Sequence, residues 1–117
     1  MKPVLFVNDN NDDLALCAMR ADKIGVRSII SSDPQYILDT LKEGLVEHVF
    51  ADVKMPTMMG DVFLTKLREK LPNQKCSLMS GYTNIEIELK AMAAGFRNIL
   101  PKDEPQFTYG LKAILGV

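Results

Sequence analysis

Residues 4–30 read VLFVNDNNDDLALCAMRADKIGVRSII, and three kinds of segment succeed one another within them. Val4 to Val7 is an unbroken apolar run of strand length that stops at Asn8, Asp9 and Asn10. Leu14, Cys17, Ala18, Ala21 and Ile24 then recur at helical spacing. Gly25 closes that stretch, as a glycine just past a helix end does. Val26 to Ile30 is a second short run rich in β-branched residues. Strand, helix, strand is the smallest unit of a parallel sheet, because parallel neighbours need a long crossover between them.

The same alternation continues along the chain. Ser32 or Asp33 can cap a second helix, Pro34 suits its first turn, and Ile37, Leu38, Leu41 and Leu45 form its stripe. HVFAD (48–52) is a third strand, and Asp61 to Leu71 a third helix with Phe63, Leu64, Leu67 and Leu71 inward. KCSLMS (75–80) is a fourth strand. Thr83 and Glu86 have capping-box spacing ahead of a helix whose expected inner face is Ile85, Leu89, Met92 and Ala93. NIL (98–100) is a short fifth strand, and Pro105 opens a last helix carrying Phe107, Leu111, Ile114 and Leu115. Five strands alternating with five helices predict an α/β fold, a doubly wound parallel sheet with helices on both faces. With no linker or repeat, residues 1–117 are expected to be one domain.

Composition narrows the function classes. Hydrophobic residues make up 47% and charged residues 25%, the balance of a globular chain and not of a disordered one. A net charge of −1 supplies no general attraction for nucleic acid or an anionic membrane. Neither a membrane-spanning run nor a signal peptide is legible. Cys17 and Cys76 are far apart and each sits in an apolar pattern, so they read as core thiols of a cytoplasmic protein. His48 is the single histidine, which excludes a histidine-rich metal cage; it is expected as a strand residue near the surface.

In a parallel α/β sheet the working crevice lies beyond the carboxyl ends of the strands. Here those ends carry Asn8 and Asp9 on strand one, Asp52 on strand three, Ser80 on strand four and Lys102 after strand five. Two carboxylates, a hydroxyl and an ammonium therefore converge on one edge. Neighbouring carboxylates repel unless a cation lies between them, and an open set of hard oxygens suits Mg²⁺. The hydroxyl and ammonium would receive an anion arriving at the metal. Phosphoryl transfer onto a carboxylate uses all four groups.

VLFVND, FADVKMPTMMG, SLMSGY and ILPK stand in the order and spacing of a response-regulator receiver domain of two-component signalling, and the whole chain resembles that family. The resemblance implies a flavodoxin-like sheet of order 2-1-3-4-5. It implies that Asp52 is the phospho-acceptor, that Asp9 binds Mg²⁺ directly and that the Lys54 main-chain carbonyl is a metal ligand. Ser80 matches the hydroxyl that bonds the phosphoryl group, and Lys102 the lysine that pairs with it. The implied partners are a sensor histidine kinase or phosphotransfer protein upstream. Downstream, a protein or output domain would dock at the helix 4–strand 5–helix 5 face, and a homodimer through the last two helices is compatible with the pattern. Receivers catalyse only their own phosphorylation and dephosphorylation, so the chain is not expected to be a conventional enzyme.

Five positions depart from the family. Asn8 stands where a second acid is usual; it can act only through a metal-bound water, and Mg²⁺ is expected to bind more weakly. Ile99 replaces the usual aromatic switch residue. Asp103 follows Lys102 where proline is usual, and a cis bond there would cost about 2.5–4 kcal/mol. Met58 and Met59 occupy a commonly polar loop, as packing or as an adaptable partner surface. Gly81 leaves the site open, whereas Tyr82 is placed to shield it. The alternative function is a degenerate receiver acting as a phosphorylation-independent interaction module. An aspartyl-phosphate phosphatase would need a second acid soon after the nucleophile, where Val53 and Lys54 stand instead. The chain stops directly after the last helix, as expected either of a stand-alone receiver or of a piece of a longer protein.

Overall fold

The computed structural model describes residues 1–81 and 85–117. Its strands are β1 (Val4–Val7), β2 (Ser28–Ser31), β3 (Val49–Asp52), β4 (Cys76–Ser80) and β5 (Ile99–Pro101). Its helices are α1 (Asn11–Lys23), α2 (Pro34–Thr40), α3 (Gly60–Lys70), α4 (Ile85–Ala93) and α5 (Gln106–Leu115). All neighbouring strands are parallel, in the order β2-β1-β3-β4-β5. This is the flavodoxin-like α/β arrangement that the alternation and the family resemblance predict.

Alternation within each central strand divides the core in two, since successive side chains leave opposite faces of a strand. Leu5, Val7, Val49, Ala51 and Leu78 pack under α2, α3 and α4, against Ile37, Leu38, Phe63, Leu64 and Leu67. Val4, Phe6, Phe50, Met79 and Leu100 pack under α1 and α5, against Leu14, Cys17, Ala21, Phe107 and Leu111. Phe6 stacks on Phe50 with centroids 5.4 Å apart and meets Phe107 at 6.1 Å, within the range of favourable aromatic pairs. Each fully buried side chain of this size contributes roughly 1.5–3 kcal/mol, so these two layers anchor the sheet and its carboxyl edge.

Several expectations are corrected in detail. β2 begins at Ser28 because Val26 is still in the exit turn of α1: its N–H reaches the Ala21 carbonyl at 3.0 Å, after Gly25 at φ +76°. As the edge strand, β2 bonds only to β1, and Ile29 and Ile30 are exposed. α2 stops at Thr40, Leu41 turns extended but stays buried, and Leu45 lies exposed beyond the break next to Gly44 at φ +83°.

The inner face of α4 is the reverse of the expected one. Ile85, Leu89 and Met92 face solvent, while Ala91 is buried and Ile87 and Ala94 pack against the core. This segment carries two apolar stripes, and the second is the one that meets the core. Thr83 of the expected capping box, and Tyr82, lie outside the described residues.

His48 is not near the surface but buried, directly before β3. Its Nε2 bonds Ser77 Oγ at 2.8 Å and its ring stacks on Phe50 at 4.4 Å. Both cysteines are free thiols, Cys17 fully inside the core and Cys76 partly so.

Candidate functional site

β1 delivers Asn8 to the carboxyl edge of the sheet with no solvent exposure, its N–H bonded to the Ser31 carbonyl at 3.2 Å. Asn8 Oδ1 accepts from the Asn10 N–H at 3.1 Å, and Nδ2 donates to Asp13 Oδ2 at 3.3 Å. Asn10 in turn caps α1, its Oδ1 accepting from the Asp13 N–H at 3.0 Å. Asp12 and Asp13 occupy the first turn of that helix, where its dipole favours negative charge. Asp9, between the buried Asn8 and the cap, is exposed.

Asp52 ends β3 almost wholly buried. The loop after it doubles back, because the Val53 carbonyl accepts from the Gly60 N–H at 2.9 Å. A Cβ on Gly60 would sit 2.0 Å from the Asp52 carbonyl oxygen, so the position admits glycine alone. That contact is the physical reason for the glycine of the DVKMPTMMG stretch. Lys54, Met55, Pro56 and Met59 of this loop line a shallow cavity of about 400 Å³ together with Asp9. Met58 packs against the core and Met59 is partly exposed, so the loop is both a packed and an open surface.

Ser80 ends β4 buried, and its carbonyl accepts from the Lys102 N–H at 2.9 Å. This bond continues the β4–β5 ladder and brings Lys102 over the edge. Lys102 Nζ lies 2.7 Å from Asp52 Oδ2 and 3.0 Å from Asp13 Oδ2. Burial alone would lower the pKa of this ammonium, but its hydrogen bonds to Asp52 and Asp13 and their charges outweigh burial and raise it. Arg20 bonds the Lys102 carbonyl and lies over the Phe107 ring at 5.5 Å. Cys17, beneath the same crevice, is held neutral, burial pushing its thiol up to about 11.

The edge therefore unites Asp52, Lys102 and, through its backbone, Ser80, with Asn8 one side chain further along. Asp13 was not legible as a site residue. The available signal was its spacing of four and seven from Cys17 and Arg20, which places all three along one side of α1. Nothing local in the sequence ties that side to a lysine 89 positions away.

A model of the response regulator receiver domain matches residues 4–108. The chain belongs to that family. No curated protein matches it in sequence. Among solved structures, a chemotaxis protein, CheY4 of Vibrio cholerae, is similar at TM-score 0.84 and 20% identity, over 98% of this chain and 99% of that one. A CheY-like receiver domain protein from Methanospirillum hungatei is similar at 0.81 and 21%, over 99% and 94%. The beryllofluoride-activated NtrC4 receiver domain dimer gives 0.82 and 21%, over 99% and 98%.

This receiver keeps its family's fold at low sequence identity while differing at the edge of the sheet. Ile99 is partly buried against the core. The bond after Lys102 is not cis; the cis peptide found among the described residues is Glu104–Pro105. Among the described residues no three His, Cys, Asp or Glu side chains form a metal-holding group. Receiver domains generally use Mg²⁺, which needs no such cage, since it keeps several waters and takes one or two carboxylates. The oxygen donors of Asp9, Asp52 and the Lys54 carbonyl suit it in chemical type. No described helix is long and apolar enough to cross a membrane.

Proposed function

We propose that this receiver takes a phosphoryl group from a histidine kinase or phosphotransfer protein onto Asp52, in the cytoplasm, and answers by changing a partner-binding surface. The observation that carries the reading is the 2.7 Å contact of Lys102 Nζ with a buried Asp52 carboxylate at the end of a central strand. Burying a carboxylate is costly unless it is paired, and the pairing here uses a cation on a loop, able to follow the charge when it moves.

Asp52 Oδ attacks the phosphorus in line, forming the O–P bond as the P–N bond to the donor imidazole breaks and the imidazole leaves with the electron pair. Lys102 then pairs with the phosphoryl oxygens, and the Ser80 hydroxyl donates to one of them. Asp9, Asp52 and the Lys54 carbonyl would hold Mg²⁺, with Asn8 acting through a water on the second lone pair of its Oδ1. The bound ion supplies neutralisation of the charge that builds up between acceptor and phosphoryl oxygens.

The output surface is the face of α4, β5 and α5. Its support is the exposed apolar row Ile85, Leu89 and Met92 on α4, together with Tyr109 on α5. A second copy is one occupant for it, as a similar receiver forms an activated dimer. Without an aromatic ring at Ile99, the change reaches that face through the backbone after Ser80 and Lys102. One observation favours the alternative, an interaction module that needs no phosphate: the Asn8 amide is already bonded at both its oxygen and its nitrogen.

Intact mass after incubation with acetyl phosphate across a Mg²⁺ series separates the two. The expected result is a gain of one phosphoryl group that requires Mg²⁺ and is absent in Asp52→Asn. Folded protein that gains nothing at any Mg²⁺ concentration is an interaction module.

A further inference from the structure

Asn8 is wholly buried, and a buried amide needs partners for both its oxygen and its nitrogen. Its nitrogen is given to Asp13 Oδ2, the same oxygen that takes the second bond of the Lys102 ammonium. A carboxylate in place of this amide would face Asp13 across about the same 3.3 Å, where like charges repel. The amide makes the contact attractive. The departure at position 8 and the acid at position 13 are thus two halves of one arrangement. α1 also holds Lys102 a second time, through Arg20 on its carbonyl, two turns beyond Asp13.

We propose that Asp13 is a positioning residue for the Asp52 site: it shares the Lys102 ammonium with Asp52, is held in place by the Asn8 amide, and supplies from α1 the negative charge that position 8 lacks. The inference rests on the phosphoacceptor reading and deepens it. With Asp13 in place, Asp52 does not hold the ammonium alone, so part of its charge stays available to an incoming cation and phosphoryl group. Remove that carboxylate, and Lys102 neutralises Asp52 by itself. The weaker Mg²⁺ site expected from Asn8 is in this way offset from a neighbouring helix.

The test is a calorimetric Mg²⁺ titration of the full chain in three forms: unaltered, Asp13→Asn, and the exchange Asn8→Asp with Asp13→Asn. Acetyl phosphate labelling is run in parallel. The Asp13 side chain is 40% exposed and the amide has the same shape, so the single variant keeps its fold. Asp13→Asn is expected to raise the Mg²⁺ dissociation constant about tenfold, as loss of one charge near the site implies. The exchange, which returns a carboxylate and keeps an amide–carboxylate bond, is expected to bring it back to within about threefold. An Asp13→Asn constant within about twofold of the unaltered chain overturns the proposal, as does an exchange no tighter than the single variant, or an unaltered chain that binds no Mg²⁺. Tight, Asp13-dependent binding without labelling upholds Asp13 and removes the phosphoacceptor reading instead.

Discussion

Lys102, partly buried, and His48, buried, are driven in opposite directions by their surroundings. Lys102 meets two carboxylates and stays charged. His48 meets Ser77 and Phe50, and burial, aided by the charge of Lys75, lowers its pKa from 6.5 to about 4. The folded chain therefore refuses a proton that the unfolded chain accepts below pH 6.5. Stability from His48 is complete above that pH and is lost as pH falls towards 4, by about 3 kcal/mol across the window. The single imidazole can be followed by NMR. Its midpoint should lie well below 5, and His48→Gln should flatten the fall of the urea midpoint between pH 6.5 and 4.5. An imidazole titrating near 6.5 would overturn this account of its burial.

Among the elements, α4 shows how periodicity alone can select the wrong face. Helical spacing finds Ile85, Leu89 and Met92 as readily as Ile87, Ala91 and Ala94, and the first set is the more apolar. The second is the set that meets the core, with Ala91 buried and Ile87 and Ala94 packed against it. Leu89→Glu should change stability by no more than about 0.5 kcal/mol, as befits an exposed position. Ala91→Glu would bury an unpaired carboxylate and should cost about 3 kcal/mol or more. Urea denaturation of the two variants checks the assignment, and equal losses would contradict it. α1, α3 and α5 bury residues of the stripes that spacing predicts, whereas Leu45 falls beyond the end of α2 and is exposed.

For the molecule as a whole, folding and the site are coupled through the carboxyl edge of the sheet. On the proposed reading, Asp9, Asp52 and the Lys54 carbonyl would hold a cation that unfolding releases, and that cation would stabilise only the folded state. At a Mg²⁺ concentration tenfold above its dissociation constant, linkage adds about 1.4 kcal/mol. Calorimetry should show the melting temperature rising with Mg²⁺, and rising less in Asp52→Asn. A melting temperature indifferent to Mg²⁺ would leave the folded chain without a cation at this edge. The two core layers transmit the coupling, because Leu78 and Met79 in β4 and Phe50 and Ala51 in β3 fix the strands that end in Ser80 and Asp52.

The fold was legible because its information is local and repeated: short apolar runs, single helical stripes, and glycines or prolines at the breaks. The strand-end residues Asn8, Asp52, Ser80 and Lys102 were legible for the same reason, since parallel strands must bring their ends to one edge. What no local pattern carries is which groups meet across that edge. The sharing of Lys102 between Asp52 and Asp13, the amide that holds Asp13, the burial of His48 against Ser77, and the face that α4 turns to the sheet all arise from packing. All but the Asn8–Asp13 bond, which spans five positions, join segments far apart in the chain, and their geometry exists only once the two core layers have closed on the sheet.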